Sequence, residues 1–539
     1  MGASLPSPVT STVVERQKSE RFDVAVAEMN GWRTSMEDAH LILLRPSYGV
    51  FGVFDGHGGG ACSEFAAKRL KEEIEKTGRP SDEEIKKMFF KIDQEFLDSE
   101  QASGSTATMC VVEAPSTAGG KHRLLVINAG DSRVLLGRRD GSIVDGKGTD
   151  QGLTTDHKPN HPPERERIER CGGKVEITEG GVARVNGNLA VSRGFGDKDE
   201  KTTGGPGPEN RPVTVEPELG HFECDDSDFV LLVCDGVSEG NFPNAEVVKL
   251  VASMSWSKTS LGRTWIAMRL RDGKDMGEAV KAVCHKAVET DSKDNITCMG
   301  VLLGARGGGG SDSSAPSVEF HPGPLTHLGK KGFRAAYAAM AEKAGLSLAE
   351  AVLKRYEVLQ QELKASPTAA LKDEMSKFKG TPPAENPKQW FEKWLETLPE
   401  EKETGPGGMD LGMLQDMMGK GGGKGAQGGG KGGAGSAPPE TAKAEEVEKE
   451  EDGYVWSQQG EEVQIAFTLP KAASKKDVKV QFKQSSILVQ VHGDTLLQGS
   501  LQGKVEAEDC TWCLVNSGSE LNVMLTKQNE KDQWANLLK

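Results

Sequence analysis

The sequence predicts an α+β protein that ends in an all-β module, and three observations carry that expectation. Apolar runs of strand length recur through residues 21–304, several ending in an acid, with helical patterns between them. Gly304–Pro316 and Gly405–Pro439 are rich in glycine with serine or lysine, the composition of linkers. From Tyr454 onward short strands alternate with turn residues, as in a β-sandwich. At 539 residues the chain is too long for one core. The expected layout is a loose N-terminus at 1–20, a first domain at 21–304, a linker at 305–330, a helical region at 331–400, a low-complexity linker at 401–450 and the β module at 451–539.

The first domain is read element by element. Arg21–Met29 alternates like a strand and runs into Gly31-Trp-Arg-Thr-Ser-Met-Glu-Asp-Ala-His40, after which Leu41–Leu44 resumes a strand. Two acids and an arginine between strands read either as a charged hairpin or as part of a site. In the second reading Glu37 and Asp38 face metal-bound water and Arg33 holds a phosphate through its planar fork. Val50–Phe54 is apolar and stops at Asp55-Gly-His-Gly-Gly59, which puts a carboxylate at the rim of a sheet. Gly56 lets the backbone approach a ligand closely. A helix follows at Ala61–Glu75, with Phe65, Ala66, Leu70 and Ile74 on one face. Ser81-Asp-Glu-Glu84 is a capping box that starts another.

The strand-then-acid pattern recurs. Leu124–Asn128 leads to Asp131, Phe229–Cys234 leads to Asp235, and Asp294-Asn295 precedes Ile296–Val301. Carboxylates that converge at one sheet edge repel each other unless a cation holds them. An all-oxygen set favours Mg²⁺ or Mn²⁺ over zinc.

Beyond the first domain, residues 331–364 are helical in pattern. Asn386-Pro387 starts a helix that carries Trp390, Trp394 and Leu398. Met409–Met418 has the spacing of a partner-binding helix. The net charge of −15 argues against nonspecific binding to nucleic acid or anionic membrane. Nine scattered cysteines suit a reducing compartment, and a cytoplasmic location is expected. Gly2 is a weak myristoylation candidate, because Pro6 stands where Ser or Thr is favoured.

Residues 21–304 resemble the PP2C-type metal-dependent protein phosphatases. The motifs that carry the resemblance are Gly31–His40, Phe54-Asp-Gly-His-Gly-Gly59, Gly104-Ser-Thr-Ala107, Asn128-Ala-Gly-Asp-Ser-Arg133, Leu189-Ala-Val-Ser-Arg193, Cys234-Asp-Gly236 and Asp294-Asn295, in the family's order. The resemblance implies a pair of antiparallel sheets flanked by helices and hydrolysis of phosphoserine and phosphothreonine by metal-activated water. It implies that Asp55 bridges two ions, that the Gly56 carbonyl binds one, and that Asp235 and Asp294 bind the other. Glu37 and Asp38 act mainly through water, and Asp131 with Asp235 is a candidate for a third, weaker ion. Arg33 orients the phosphate, His57 is the general acid, and Thr106 and Asn295 hold ligands in place.

Residues 454–539 resemble a CS domain of the NudC and p23 type, carried by Tyr454-Val-Trp456, Lys476-Asp-Val478, Leu496–Leu501, Thr511-Trp512, Lys527 and Trp534. That resemblance implies recruitment of a chaperone or its client. One departure stands out: after Asp235-Gly236 the family has a hydrophobic residue and then Trp-Asp, whereas this chain has Val237-Ser238-Glu239. It motivates the alternative of a pseudophosphatase scaffold whose CS domain carries the function.

Overall fold

A computed structural model describes residues 4–398 and 449–538, apart from short stretches of which 259–264, 268–274, 305–313 and 379–386 are the longest. The chain divides into a unit at 1–422 and a unit at 423–539.

The first unit is built on two antiparallel sheets. One has six strands in the order Ser314–His321, Ser4–Lys18, Phe22–Arg33, Ile296–Leu303, Asp228–Val233, Arg133–Arg138. The other has five, in the order Glu218–Cys224, His122–Ala129, Ala107–Glu113, Tyr48–Phe54, Ala39–Leu44. Strand alternation sorts the apolar residues of the second sheet onto two faces. Phe51, Val53, Cys110, Val112, Leu124 and Val126 join Val24, Val26 and Leu231 in one core. Their neighbours Val50, Phe54, Met109, Val111, Leu125 and Ile127 join Leu70, Ile74 and Phe89 of two covering helices, Ala61–Thr77 and Asp82–Leu97. Both faces are covered, so these strands read as continuous apolar runs. The capping box at Ser81 is formed, the Glu84 carboxylate accepting from the Ser81 backbone N–H at 2.8 Å.

Two expectations are corrected. Residues 1–20 are not a loose tail: Ser4–Lys18 is a strand paired with Phe22–Arg33 on one side and Ser314–His321 on the other. Residues 305–330 are not simply a linker, because Ser314–His321 is the sheet's last strand. The helices Lys331–Lys343 and Leu348–Ala365 then share a core with that added edge. It joins Leu5, Val9, Val13 and Phe320 to Phe333, Tyr337, Met340, Val352, Leu359, Phe378 and Trp394. Arg355 braces this unit by a two-point contact with Glu374 at 2.9 and 2.7 Å.

The second unit has one sheet in the order Lys449–Glu451, Tyr454–Gln459, Glu462–Thr468, Glu520–Thr526, Thr511–Val515 and a second of Val478–Lys483, Ser486–Val491, Asp494–Ser500. Trp456, Ile465, Phe467, Val489, Leu501, Leu525 and Trp534 fill its core. Gln458 ties Lys527 to Trp534: its side-chain oxygen accepts from the Lys527 ammonium at 2.9 Å, and its amide donates to the Trp534 carbonyl at 2.7 Å. The Met409–Met418 segment and Glu239 lie outside the described residues.

Candidate active site

The two sheets bring the predicted residues to one edge by strand direction alone. Antiparallel neighbours present alternating ends at an edge. In the five-stranded sheet that edge receives Asp38 before Ala39–Leu44, Asp55 after Tyr48–Phe54, Thr106 before Ala107–Glu113 and Asp131 after His122–Ala129. In the six-stranded sheet it receives Arg33 at the end of Phe22–Arg33, Asp294 and Asn295 before Ile296–Leu303, and Asp235 after Asp228–Val233.

The carboxylates are close enough to act on one another. The Asp55 carboxyl is pushed well above the usual carboxylate range by burial, then by the charges of Asp235, Asp38, Asp294 and Asp131. Burial, with Asp294 nearby, pushes Asp38 up to about 7, although its hydrogen bond to Thr297 works the other way. One Asp38 oxygen accepts the Thr297 hydroxyl at 2.6 Å, and the other is buried with no hydrogen-bond partner. Burial also raises Asp294, against the pull of Arg33, which donates to it. Lys158 donates to Asp131.

Backbone and polar contacts fix the ligands' frames. Thr106 Oγ1 accepts the Asp55 N–H at 3.1 Å, and the Thr106 N–H donates to the Asp55 carbonyl at 2.9 Å. The Asn295 side chain accepts the Glu37 N–H at 2.9 Å and donates to the Asn30 and Ser35 carbonyls at 2.8 and 2.9 Å. That pins the whole turn between Arg33 and Asp38. At Gly56 a Cβ would lie 2.2 Å from the Glu37 carbonyl oxygen, so the glycine lets two site segments touch. The Glu37 carboxylate accepts from the Ser35 hydroxyl at 2.8 Å. Arg193, by contrast, is structural: it pairs with Glu164 at 2.7 Å and donates to the Glu216 carbonyl at 3.0 Å.

His57 has a partner 140 residues away in the chain, Asp197. Its Nε2 lies 2.7 Å from Asp197 Oδ1. Burial disfavours the imidazolium, but the Asp197 charge and hydrogen bond outweigh it, and the His57 pKa is raised. Asp197 adopts a left-handed backbone conformation, φ 53°, which Asp tolerates better than most residues. Its loop is anchored by buried Asp93, which accepts the Gly196 N–H at 2.8 Å and the Lys201 ammonium at 2.8 and 2.9 Å.

The donor set fits a hard divalent ion: five converging aspartates, all-oxygen chemistry and one orphaned buried carboxylate oxygen on Asp38. Among the described residues no three His, Cys, Asp or Glu side chains close into a finished coordination set. Asp294 and Asp131 are paired with Arg33 and Lys158 instead.

Comparison with known proteins decides the family. A family model for protein phosphatase 2C matches residues 22–296, about half of the chain. This chain belongs to the protein phosphatase 2C family. A CS domain model matches residues 452–527. The chain is 31% identical over 324 residues to the probable protein phosphatase 2C 5 of Paramecium tetraurelia, which covers 56% of this chain and 100% of that one. It is 31% identical over 346 residues to protein phosphatase 1B of Mus musculus, covering 59% and 77% of the two chains. A solved phosphatase from a pathogenic strain of Toxoplasma gondii is 28% identical, with 57% of this chain and 99% of that chain covered and a TM-score of 0.48. The protein is therefore a serine/threonine protein phosphatase carrying a CS domain, and its family is metal-dependent.

Proposed function

We propose that this phosphatase works at the shared edge of its two sheets, with Mg²⁺ or Mn²⁺ held by Asp55, Asp235 and Asp294 and the Gly56 carbonyl, with Asp38 directly or through water and Glu37 through water. Asp131 is the candidate for a third, weaker ion. The single observation behind the reading is the mutual repulsion of Asp55, Asp235, Asp38, Asp294 and Asp131, which a bound divalent cation would relieve. Bound there, a divalent pair supplies an activated water and offsets charge on the phosphoryl oxygens. The chain's own residues do the rest. Arg33, whose side chain is 42% exposed, offers a planar fork to the phosphate while Asp294 holds its other side. His57, oriented by Asp197, whose charge favours the imidazolium, gives its proton to the departing seryl or threonyl oxygen. Thr106 and Asn295 hold the Asp55 and Glu37 backbones.

The CS domain is proposed to recruit a chaperone or its client, raising the concentration of phosphoprotein at the site without adding contacts there. A cytoplasmic setting suits that role.

The deciding experiment is hydrolysis of an aryl phosphate under Mn²⁺ and Mg²⁺ titration, with EDTA as control and Asp55→Asn beside it. Metal-dependent turnover lost in the variant is expected. Folded protein that takes up metal yet turns over nothing would favour the scaffold reading, with Ser238 and Glu239 the first positions to change.

A further inference from the structure

The helical unit reaches into the site through one side chain. Lys343 is the last residue of the Lys331–Lys343 helix, where a cation also suits the helix dipole. Its ammonium lies 3.1 Å from the buried Glu28 carboxylate and 3.3 Å from the Asp38 backbone carbonyl, to which it donates. Glu28 stands on the Phe22–Arg33 strand and also meets His40 Nδ1 at 3.1 Å. His40 Nε2 in turn lies 3.3 Å from Glu15 on the Ser4–Lys18 strand. Lys343 thus joins both sheets at the backbone of the residue that carries the Asp38 carboxylate, one of whose oxygens is buried without a hydrogen-bond partner.

A contact of this kind fixes direction rather than adding charge to the reacting atoms. The Asp38 carbonyl and carboxylate share one short frame. Anchoring the carbonyl limits rotation of the backbone that carries the carboxylate, whose second anchor is the Thr297 hydroxyl at 2.6 Å. With the ammonium gone, Glu28 keeps only His40, and the turn from Glu37 to His40 gains freedom.

We propose that Lys343 is a positioning residue for the metal centre, acting through the Asp38 carbonyl and Glu28, so that the helical unit helps set the affinity of the site for divalent cation. The proposal rests on the reading that Asp38 belongs to that centre.

The test is Mn²⁺ binding to the full chain by calorimetry, with kcat at saturating Mn²⁺ measured in parallel. Lys343→Met keeps the side chain's stem and removes the charge. It is expected to weaken Mn²⁺ binding by about tenfold, the scale on which outer partners of ligands act, while kcat at saturation stays within about twofold. Lys343→Arg, which keeps the charge, is expected to retain native affinity. Ser347→Ala removes the cap of the next helix, whose hydroxyl accepts the Glu350 N–H. It loosens the same unit without touching Asp38, and is expected to leave Mn²⁺ binding unchanged. Native affinity in Lys343→Met, or an equal loss in Ser347→Ala, overturns the proposal. Absence of Mn²⁺ binding in the unmodified chain would instead overturn the metal-site reading on which it stands.

Discussion

Asp197→Asn separates a catalytic role for His57 from a structural one. The substitution keeps an oxygen that can accept from His57 Nε2 and keeps a residue type that tolerates φ 53°. It removes the charge. A hydrogen bond to a charged partner contributes ~1.5–3 kcal/mol against ~0.5–1.5 for a neutral one, so about 1–1.5 kcal/mol of support for the protonated imidazole is lost. At 1.36 kcal/mol per factor of ten, that is roughly a tenfold fall in rate where the proton matters. It matters for a seryl or threonyl oxygen, a poor leaving group. It matters little for an aryl phenolate, which departs without a proton. The assay is kcat for a phosphoserine peptide and for an aryl phosphate, both at saturating Mn²⁺. A loss near tenfold on the peptide with the aryl substrate within about twofold is expected. Equal losses on both would refute the reasoning, because they would mean that Asp197 only holds the loop.

Three further outcomes follow from the contacts. Lys201→Met strips the ammonium from buried Asp93, and breaking such a pair costs about 3–5 kcal/mol, which in a unit of this size should lower the melting temperature by about 5 °C; an unchanged melt would mean that the pair does not hold the fold. Burial pushes Glu164 up, but Arg193 and Arg167 outweigh it and hold its carboxyl below the usual range. A depressed acid stabilises the fold fully above its unfolded value near about 4.3, and that stability is lost as pH falls below it. The melting temperature of the native protein should therefore fall as pH drops below that value and fall less in Glu164→Gln; equal falls in both would refute this. Ending the chain at Gly422, the boundary between the two units, should leave aryl phosphate turnover intact and weaken dephosphorylation of a client captured through the CS domain; equal loss on both would sink the tethering idea.

The site was legible because its chemistry is written locally. Asp55, Asp131, Asp235 and Asp294 each adjoin an apolar run, and an acid at a strand end needs no tertiary knowledge to be placed at a rim. Asp197 was not legible as a partner of His57. The two are 140 residues apart, and what joins them is a left-handed turn anchored by Asp93 and Lys201. Lys343 was hidden for a similar reason. A lysine closing an amphipathic helix reads as a solvated end, and only packing of that helix against Ser4–Lys18 brings it to Glu28.

The N-terminal strand shows how such packing misleads a local reading, and it changes what counts as the catalytic unit. Thr10, Ser11 and Thr12 make the segment look like a solvated tail. In the fold Ser11 and Thr12 are buried, and Ser11 Oγ accepts the Gly323 N–H at 3.0 Å, so distant backbone supplies what water would otherwise provide. Val14 faces the main core, whereas Val9 and Val13 face Phe320, Phe333 and Tyr337. Cutting after Gly304 would therefore strip a hydrogen-bonded edge from Ser4–Lys18 and expose those apolar side chains, at about 1.5–3 kcal/mol for each one fully uncovered. It would also remove Lys343 from Glu28 and Asp38. Activity lost on such a truncation would report damage to the fold and to the site's frame. The cut that isolates the role of the CS domain lies at the boundary between the two units, after Gly422.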